Sequence, residues 1–334
     1  MMTTGDDIDT QGVACDIWFC PSSERAVQEL RTLTVEEREE VWADLSGNET
    51  ISRFTKADHR TEDEKRIAEA LEAIEVELAH IPTKHKRAFL MAQIASPHYV
   101  NDPHFRLRFL RADKWDAKAS ALRMTRHFEE KQRLFGVDLL GRDITMLDLT
   151  DEDLKCLHAG GFQFLPRVDA GGRVVLFSRY SCLRYREPDN MVCIKSFCVA
   201  SFVMRFLAVC LFVFAAYTTF FIFLTSVSFV CQIRALWYMV MTVTNDETVQ
   251  KLGIISLSHL LDRYPEHGVD YEILRSGTSC VVSCLPIRFA ALYFYLNSSV
   301  WDNVVDFLLL LMGPMLRVRA RAIKGTRSSL VREF

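Results

Sequence analysis

The stretch NDPHFRLRFLRADKWDAKAS, residues 101–120, decides how the rest of the chain is read. Asp102-Pro103 opens a helix, because proline at the first helical position gives up only an N–H that would be unpaired anyway. Phe105, Phe109 and Leu110 then form an apolar face, while Arg106, Arg108 and Arg111 are expected to point elsewhere. Asp116 can cap a second helix through the N–H groups of Ala117 to Ala119, and Trp115, just before it, is placed to staple onto the first turn. The segment reads as two short helices meeting at a tight corner.

Upstream of this corner the pattern is helical. Residues 1–21 contain little that could be buried and read as disordered. Residues 22–59 read as accessory helices: Ser22 to Leu33, then Thr34 to Leu45, the second opened by a Thr34…Glu37 capping box and closed by Gly47. From Asp63 to His80, Ile67, Ala70, Leu71, Ile74 and Leu78 recur at helical spacing. Lys84 to Ile94 and Lys118 to Phe135 continue the period, and Gly136 ends it.

Downstream the period changes. After the Gly171-Gly172 turn, Arg173 to Tyr180 is a β-branched and aromatic run of strand length. Gly253 to Leu260, Arg288 to Leu296 and Arg317 to Ile323 are further such runs. Between them lie the helical segments Ala235 to Val243, Tyr271 to Cys284 and Val300 to Met312. Strands alternating with helices imply a mixed, mostly parallel sheet covered by helices, so the expected class is α/β behind an all-helical N-terminal bundle.

Composition narrows the function. The 334 residues carry a net charge of −3, without the basic excess of a nucleic-acid footprint. Ten cysteines are scattered with no CxxC spacing, and nine histidines show no HExxH, so reduced thiols, no structural metal and a cytosol-facing domain are expected. Cys280 and Cys284, one helical turn apart, suit a buried helix face. The acidic, polar N-terminus is unlike a signal or transit peptide. No GxSxG, P-loop or GxGxxG is present, and Asp262, Glu266 and His267 read as a solvated loop rather than acid/base groups, so catalysis is not expected.

Phe109-Leu110-Arg111-Ala112-x-Lys114-Trp115-Asp116 resembles the opening of the FLRAxKFDxxKA signature of the CRAL-TRIO lipid-binding family. Phe162 to Pro166, Asp169 to Phe177, Pro286-Ile-Arg-Phe289 with Tyr295-Leu-Asn297, and Phe307 to Pro314 resemble further landmarks of that family, over roughly residues 60–326. The resemblance, to phosphatidylinositol-transfer-like and retinaldehyde-binding-like members, implies a helical region at 60–140 and a lipid-binding domain at 141–326, with 327–334 a tail. It also implies an apolar pocket closed by a gate helix at Val300 to Met312, and no cofactor beyond a bound lipid. The implied function is non-catalytic binding, with transfer or presentation between membranes, of a phospholipid or small hydrophobic ligand. A cytoplasmic monomer peripheral to membranes would do this. By strand alternation and helix spacing the lining candidates are Leu176, Trp237, Met241, Ile255, Leu257, Leu292, Phe294, Val304, Phe307, Leu308 and Leu311. Phosphatidylinositol-binding members carry a Glu after the proline matching Pro286 and a Lys beyond the gate helix. Here Ile287 replaces the Glu and Arg317 lies nearest the Lys position. Arg288, Arg317, Arg319 and Arg321 are the candidates for a headgroup or an anionic membrane surface, the last three on one strand face.

One stretch departs from the family pattern. Residues 193–233 intervene where the family runs almost directly from Tyr185–Val192 into Arg234–Val240, and Phe206 to Cys231 holds no charge, longer than the about 20 apolar residues that cross a bilayer. A transmembrane span would make the protein a membrane-anchored scaffold, yet it would leave two halves of one domain on opposite sides. A genuine insertion, buried or lying on a membrane, is the second reading. The third is translated intron, since the codons of Phe, Leu, Val, Ser and Cys are pyrimidine-rich and Cys231-Gln232 can be encoded TGC-CAG. The intron reading expects a spliced message lacking the codons for 193–233, and transcripts that carry the stretch throughout would remove it.

Overall fold

The computed structural model describes residues 23–47, 62–179, 230–260, 271–296 and 299–324. The expected disordered N-terminus, the uncharged residues 206–229, the loop with Asp262, Glu266 and His267, and the tail lie outside the described residues. Among the described residues, no helix is long and apolar enough to cross a membrane.

The fold is mixed α/β, built on a five-stranded, mostly parallel sheet of order β1-β2-β3-β4-β5. β1 (Phe162–Phe164) runs antiparallel to β2 (Val174–Arg179). β3 (Ile254–Leu260), β4 (Phe289–Leu296) and β5 (Ala320–Lys324) follow in parallel. Gly253 enters β3 at φ 76°, where a Cβ would stand 2.8 Å from the Arg288 carbonyl oxygen, so only glycine fits this approach. Both faces of the sheet are buried. Leu176, Ile254, Leu260, Leu292, Phe294 and Leu296 belong to the large core shared with the helices, and define the inner face. Val175, Ile255, Leu257, Ala291, Tyr295 and Ile323 form a separate outer core.

The helices start and stop where their caps dictate. α1 (Ser23–Thr32) precedes α2 (Val35–Ser46), whose Thr34–Glu37 capping box and left-handed Gly47 are formed as the spacing predicts. α3 (Glu64–His80) is capped by Asp63. Lys84 to Ile94, expected as one helix, is instead a 3-10 turn, Thr83–His85, followed by α4 (Arg87–Ala95). Lys86 leaves helical geometry between them, and its ammonium donates to the Leu78 carbonyl at the end of α3; satisfying that orphan carbonyl outweighs continuing the helix. Next come α5 (Pro97–Val100), α6 (Pro103–Ala112) and α7 (Ala117–Phe135), the last capped by Asp116 and ended by Gly136. α8 (Asp151–His158), with its own Thr150–Asp153 capping box, was not anticipated.

The helix α9 spans 230–243. Residues 230–233, assigned from the sequence to the insertion, are its first turn, and Cys231 and Ile233 are buried in it. α10 (Glu247–Leu252), α11 (Tyr271–Ser283), α12 (Asp302–Met312) and α13 (Pro314–Arg317) complete the order. Cys280 and Cys284 are free thiols in the core.

The corner at 109–116 joins these parts. Lys114 and Trp115 both take left-handed backbone, φ 53° and 68°, at about 1–2 kcal/mol each for side chains with a Cβ. The Trp115 N–H donates to Leu110 at 2.7 Å, and the Trp115 ring lies 5.4 Å beneath the Arg66 guanidinium of α3. Of the three arginines expected to point away from the apolar face, Arg106 and Arg111 are buried in ion pairs. Arg106 pairs with Glu75. Arg111 binds both Glu62 oxygens (2.9 and 2.5 Å), Glu247 (2.7 Å) and Gln250 (2.5 Å), tying the corner to α10. From α7, Arg123 holds Asp113 with two bonds and donates to the Val282 and Leu285 carbonyls at the end of α11, where a cation also meets the negative pole of the helix.

His127 sits beside Arg123's anchor, fully buried, with its Nδ1 3.2 Å from the Cys284 carbonyl and its ring 4.6 Å from that of Trp237. Nδ1 therefore carries the proton. Burial, with Lys131 adding repulsion, holds its pKa well below the ordinary value.

Two outcomes follow from these contacts. Arg111→Met leaves the buried Glu62 without its main partner and should cost about 3 kcal/mol in urea unfolding. Because His127 is neutral when folded, its contribution is fully present above pH 6.5 and should be lost at up to about 1.4 kcal/mol per pH unit below that. Urea titrations from pH 7.5 to 5 should show a flatter pH dependence in His127→Phe than in the native chain.

Candidate functional site

The inner sheet face and the buried side chains of α12 that share its core make the first candidate. Register places Leu176 beside Ser256, Leu292 and Ala320, and in the next row Ser178 beside Ser258, Phe294 and Ala322. The floor is thus apolar at its rims and carries serines near its centre. Ser178 Oγ donates to Ser258 Oγ at 3.1 Å, and both side chains are buried. Val304 and Leu308 of α12 and Met241 of α9 are buried in the same core. A surface of this kind can hold a hydrocarbon and offer a few hydroxyl groups to orient it.

The structure distributes the other lining candidates differently. Ile255 and Leu257 face the outer core, on the opposite side of the sheet from Leu176, Leu292 and Phe294, so they cannot border one pocket with them. Both faces of β3 are buried, and alternation alone cannot say which is which. The residues facing inward from that strand are Ile254, Ser256, Ser258 and Leu260, none of which the sequence reading named as lining. Trp237 lies against His127 and Phe135 of α7. Phe307 is only half-buried and packs edge-on against Tyr271 of α11, ring centroids 4.8 Å apart. Leu311 is half-buried near the end of α12. A cleft of about 360 Å³ lies elsewhere, between α3 and the start of α6, lined by Leu71, Glu75, Val76, Asn101, Pro103 and Arg106 among others.

The four arginines form the second candidate, and here the structure corrects the sequence reading. Arg317, Arg319 and Arg321 do not share one strand face. Gly313-Pro314 starts a fresh short helix, so Arg317 closes α13, Arg319 stands one residue ahead of β5, and Arg321 alone lies within the strand. Nor are they an open basic edge: Arg317 and Arg319 are 5% and 2% exposed. Arg317 grips both oxygens of Glu29 in α1 at 2.7–3.0 Å, and its hydrogen bond holds the Glu29 carboxyl below the usual carboxylate range. Arg319 Nε and Arg288 Nη2 bind the two oxygens of Asp44 in α2 at 2.9 and 2.6 Å. Burial pushes the Asp44 carboxyl up, but the two guanidiniums outweigh it and the net shift is downward. Arg321 donates to the Ala320 and Val318 carbonyls. The partners Glu29, Glu40 and Asp44 lie far away in the chain, and no local pattern announces such pairing.

Among the described residues no group of three or more His, Cys, Asp or Glu could hold a metal ion. Against known proteins, the chain matches no family model and no curated protein.

Proposed function

We propose that this protein is a non-catalytic carrier of the CRAL-TRIO kind, holding a phospholipid or other small hydrophobic ligand between the inner sheet face and α12. The observation that supports this best is the buried apolar surface of Leu176, Leu292 and Phe294 around the Ser178–Ser258 pair, in the same core as Val304 and Leu308 of α12. Each methylene that such a surface takes out of water contributes about 0.8 kcal/mol. The two hydroxyls supply a polar contact for a ligand oxygen. In this reading α12 is a gate that opens at a membrane, helices α3–α7 form the bundle that carries the domain, and the protein acts as a cytoplasmic monomer visiting membrane surfaces. It needs no cofactor, and transfer or presentation of the ligand between membranes is its task. The uncharged sequence Phe206 to Cys231 favours one rival, a membrane-anchored interaction module with no ligand to exchange.

Mass spectrometry of organic extracts from purified protein separates the two. The carrier should yield a stoichiometric lipid or small hydrophobic molecule. Leu308→Trp, which enlarges a buried side chain of α12, should yield much less, while Ile255→Val on the outer face should match the native yield. Repeated preparations without any extractable ligand would end the carrier reading and leave the rival.

A further inference from the structure

Arg173, Arg288 and Arg319 stand immediately ahead of β2, β4 and β5. Those strands are parallel, so their starts lie along one edge of the sheet and the three guanidiniums converge there on the end of α2. Asp44 meets them with both carboxylate oxygens, on Arg288 and Arg319, and with its backbone carbonyl, on Arg173. Glu40 adds a carboxylate 3.5 Å from Arg288 and 3.7 Å from Arg319, while also binding Lys114 at 2.7 Å. Asp169 pairs with Arg173 at 2.5 Å. Four cations thus face three carboxylates.

The donors also outnumber the acceptors. Among the described residues, Arg288 Nε and Arg319 Nη2 are buried without a hydrogen-bond partner. A buried donor left unmade costs about 1–3 kcal/mol. A phosphate offers more acceptor positions than a carboxylate and matches the arginine fork.

The helix over this cluster is held by little apolar surface. Val41 is the buried apolar residue of α2, and Leu45 adds a half-buried contact to the outer core. Val35 and Trp42 remain 57% and 58% exposed. Attachment therefore depends largely on ionic contacts, which a competing anion can exchange.

We propose that Arg173, Arg288 and Arg319 form a site for a phosphate-bearing ligand, with Asp44 and Glu40 of α2 as built-in occupants that the ligand displaces. This site lies apart from the apolar floor and does not depend on the carrier reading.

Hydrogen exchange of the full chain, followed at residues 35–46, tests it. The arms are sodium pyrophosphate, sodium chloride at matched ionic strength, phosphatidylcholine vesicles, and phosphatidylcholine vesicles containing phosphatidic acid. Pyrophosphate, the phosphatidic acid vesicles or both should accelerate exchange in α2 beyond the chloride and plain-vesicle arms. A response to pyrophosphate identifies a soluble phosphate as sufficient, and a response confined to the phosphatidic acid vesicles identifies a lipid headgroup. Glu40→Gln should lower the concentration needed severalfold. Arg288→Lys with Arg319→Lys, which keeps the charge but removes the fork, should raise it about tenfold. Exchange in α2 that is unchanged in every arm, or that responds equally to chloride, would overturn the proposal.

Discussion

One guanidinium sets the relation between the helices and the sheet. Arg111 distributes its donors over Glu62 ahead of α3 and over Glu247 and Gln250 of α10, two places that the chain order separates widely. It can reach them only because the corner behind it turns through two left-handed residues, Lys114 and Trp115. The same corner presents Asp113 to Arg123, whose remaining donors close the end of α11. The strain at Lys114 and Trp115 is offset by these contacts and by the Trp115–Arg66 stack. Remove the turn and both arginines lose their aim, together with the position of His127 against the Cys284 carbonyl.

From this frame the two faces of the sheet take different work. The inner face shares its core with α7, α9, α11 and α12, and its central serines give it an apolar surface with a polar point. The outer face is fixed at one edge by α2, where Tyr293 donates to the Leu45 carbonyl at 2.8 Å and the arginines meet Asp44. Hydrophobic burial holds both faces and charge is added at the edge of the second, so the two respond to different solvents: the first to denaturant, the second to salt as well.

The elements were legible where a local signal fixed them. Thr34–Glu37, Asp63, Asp116 and Gly136 marked helix ends through hydrogen bonds that span a few residues, and the β-branched runs at 174–179 and 254–260 marked strands through side-chain shape. What failed had long-range causes. The break at Lys86 depends on a carbonyl of the preceding helix, and the inward face of β3 depends on which helices lie above it. The arginines at 317 and 319 looked available to a headgroup or an anionic surface because Glu29 and Asp44, their partners, lie at the other end of the chain. Residues 230–233 were misplaced because an uncharged run hides the point at which a helix of the core begins.

β2 and β3 are hydrogen-bonded neighbours running in the same direction. Whatever chain connects them leaves at the end of one strand and returns to the beginning of the next, so the register on each side is set by Val174↔Ile254 and its successors and not by the length between. The entropy of closing such a connection grows only with the logarithm of its length, about 0.6 kcal/mol for each doubling. The junction between β2 and α9 is therefore a place where added or removed chain costs this sheet little, because neither its register nor its strand order depends on the length between.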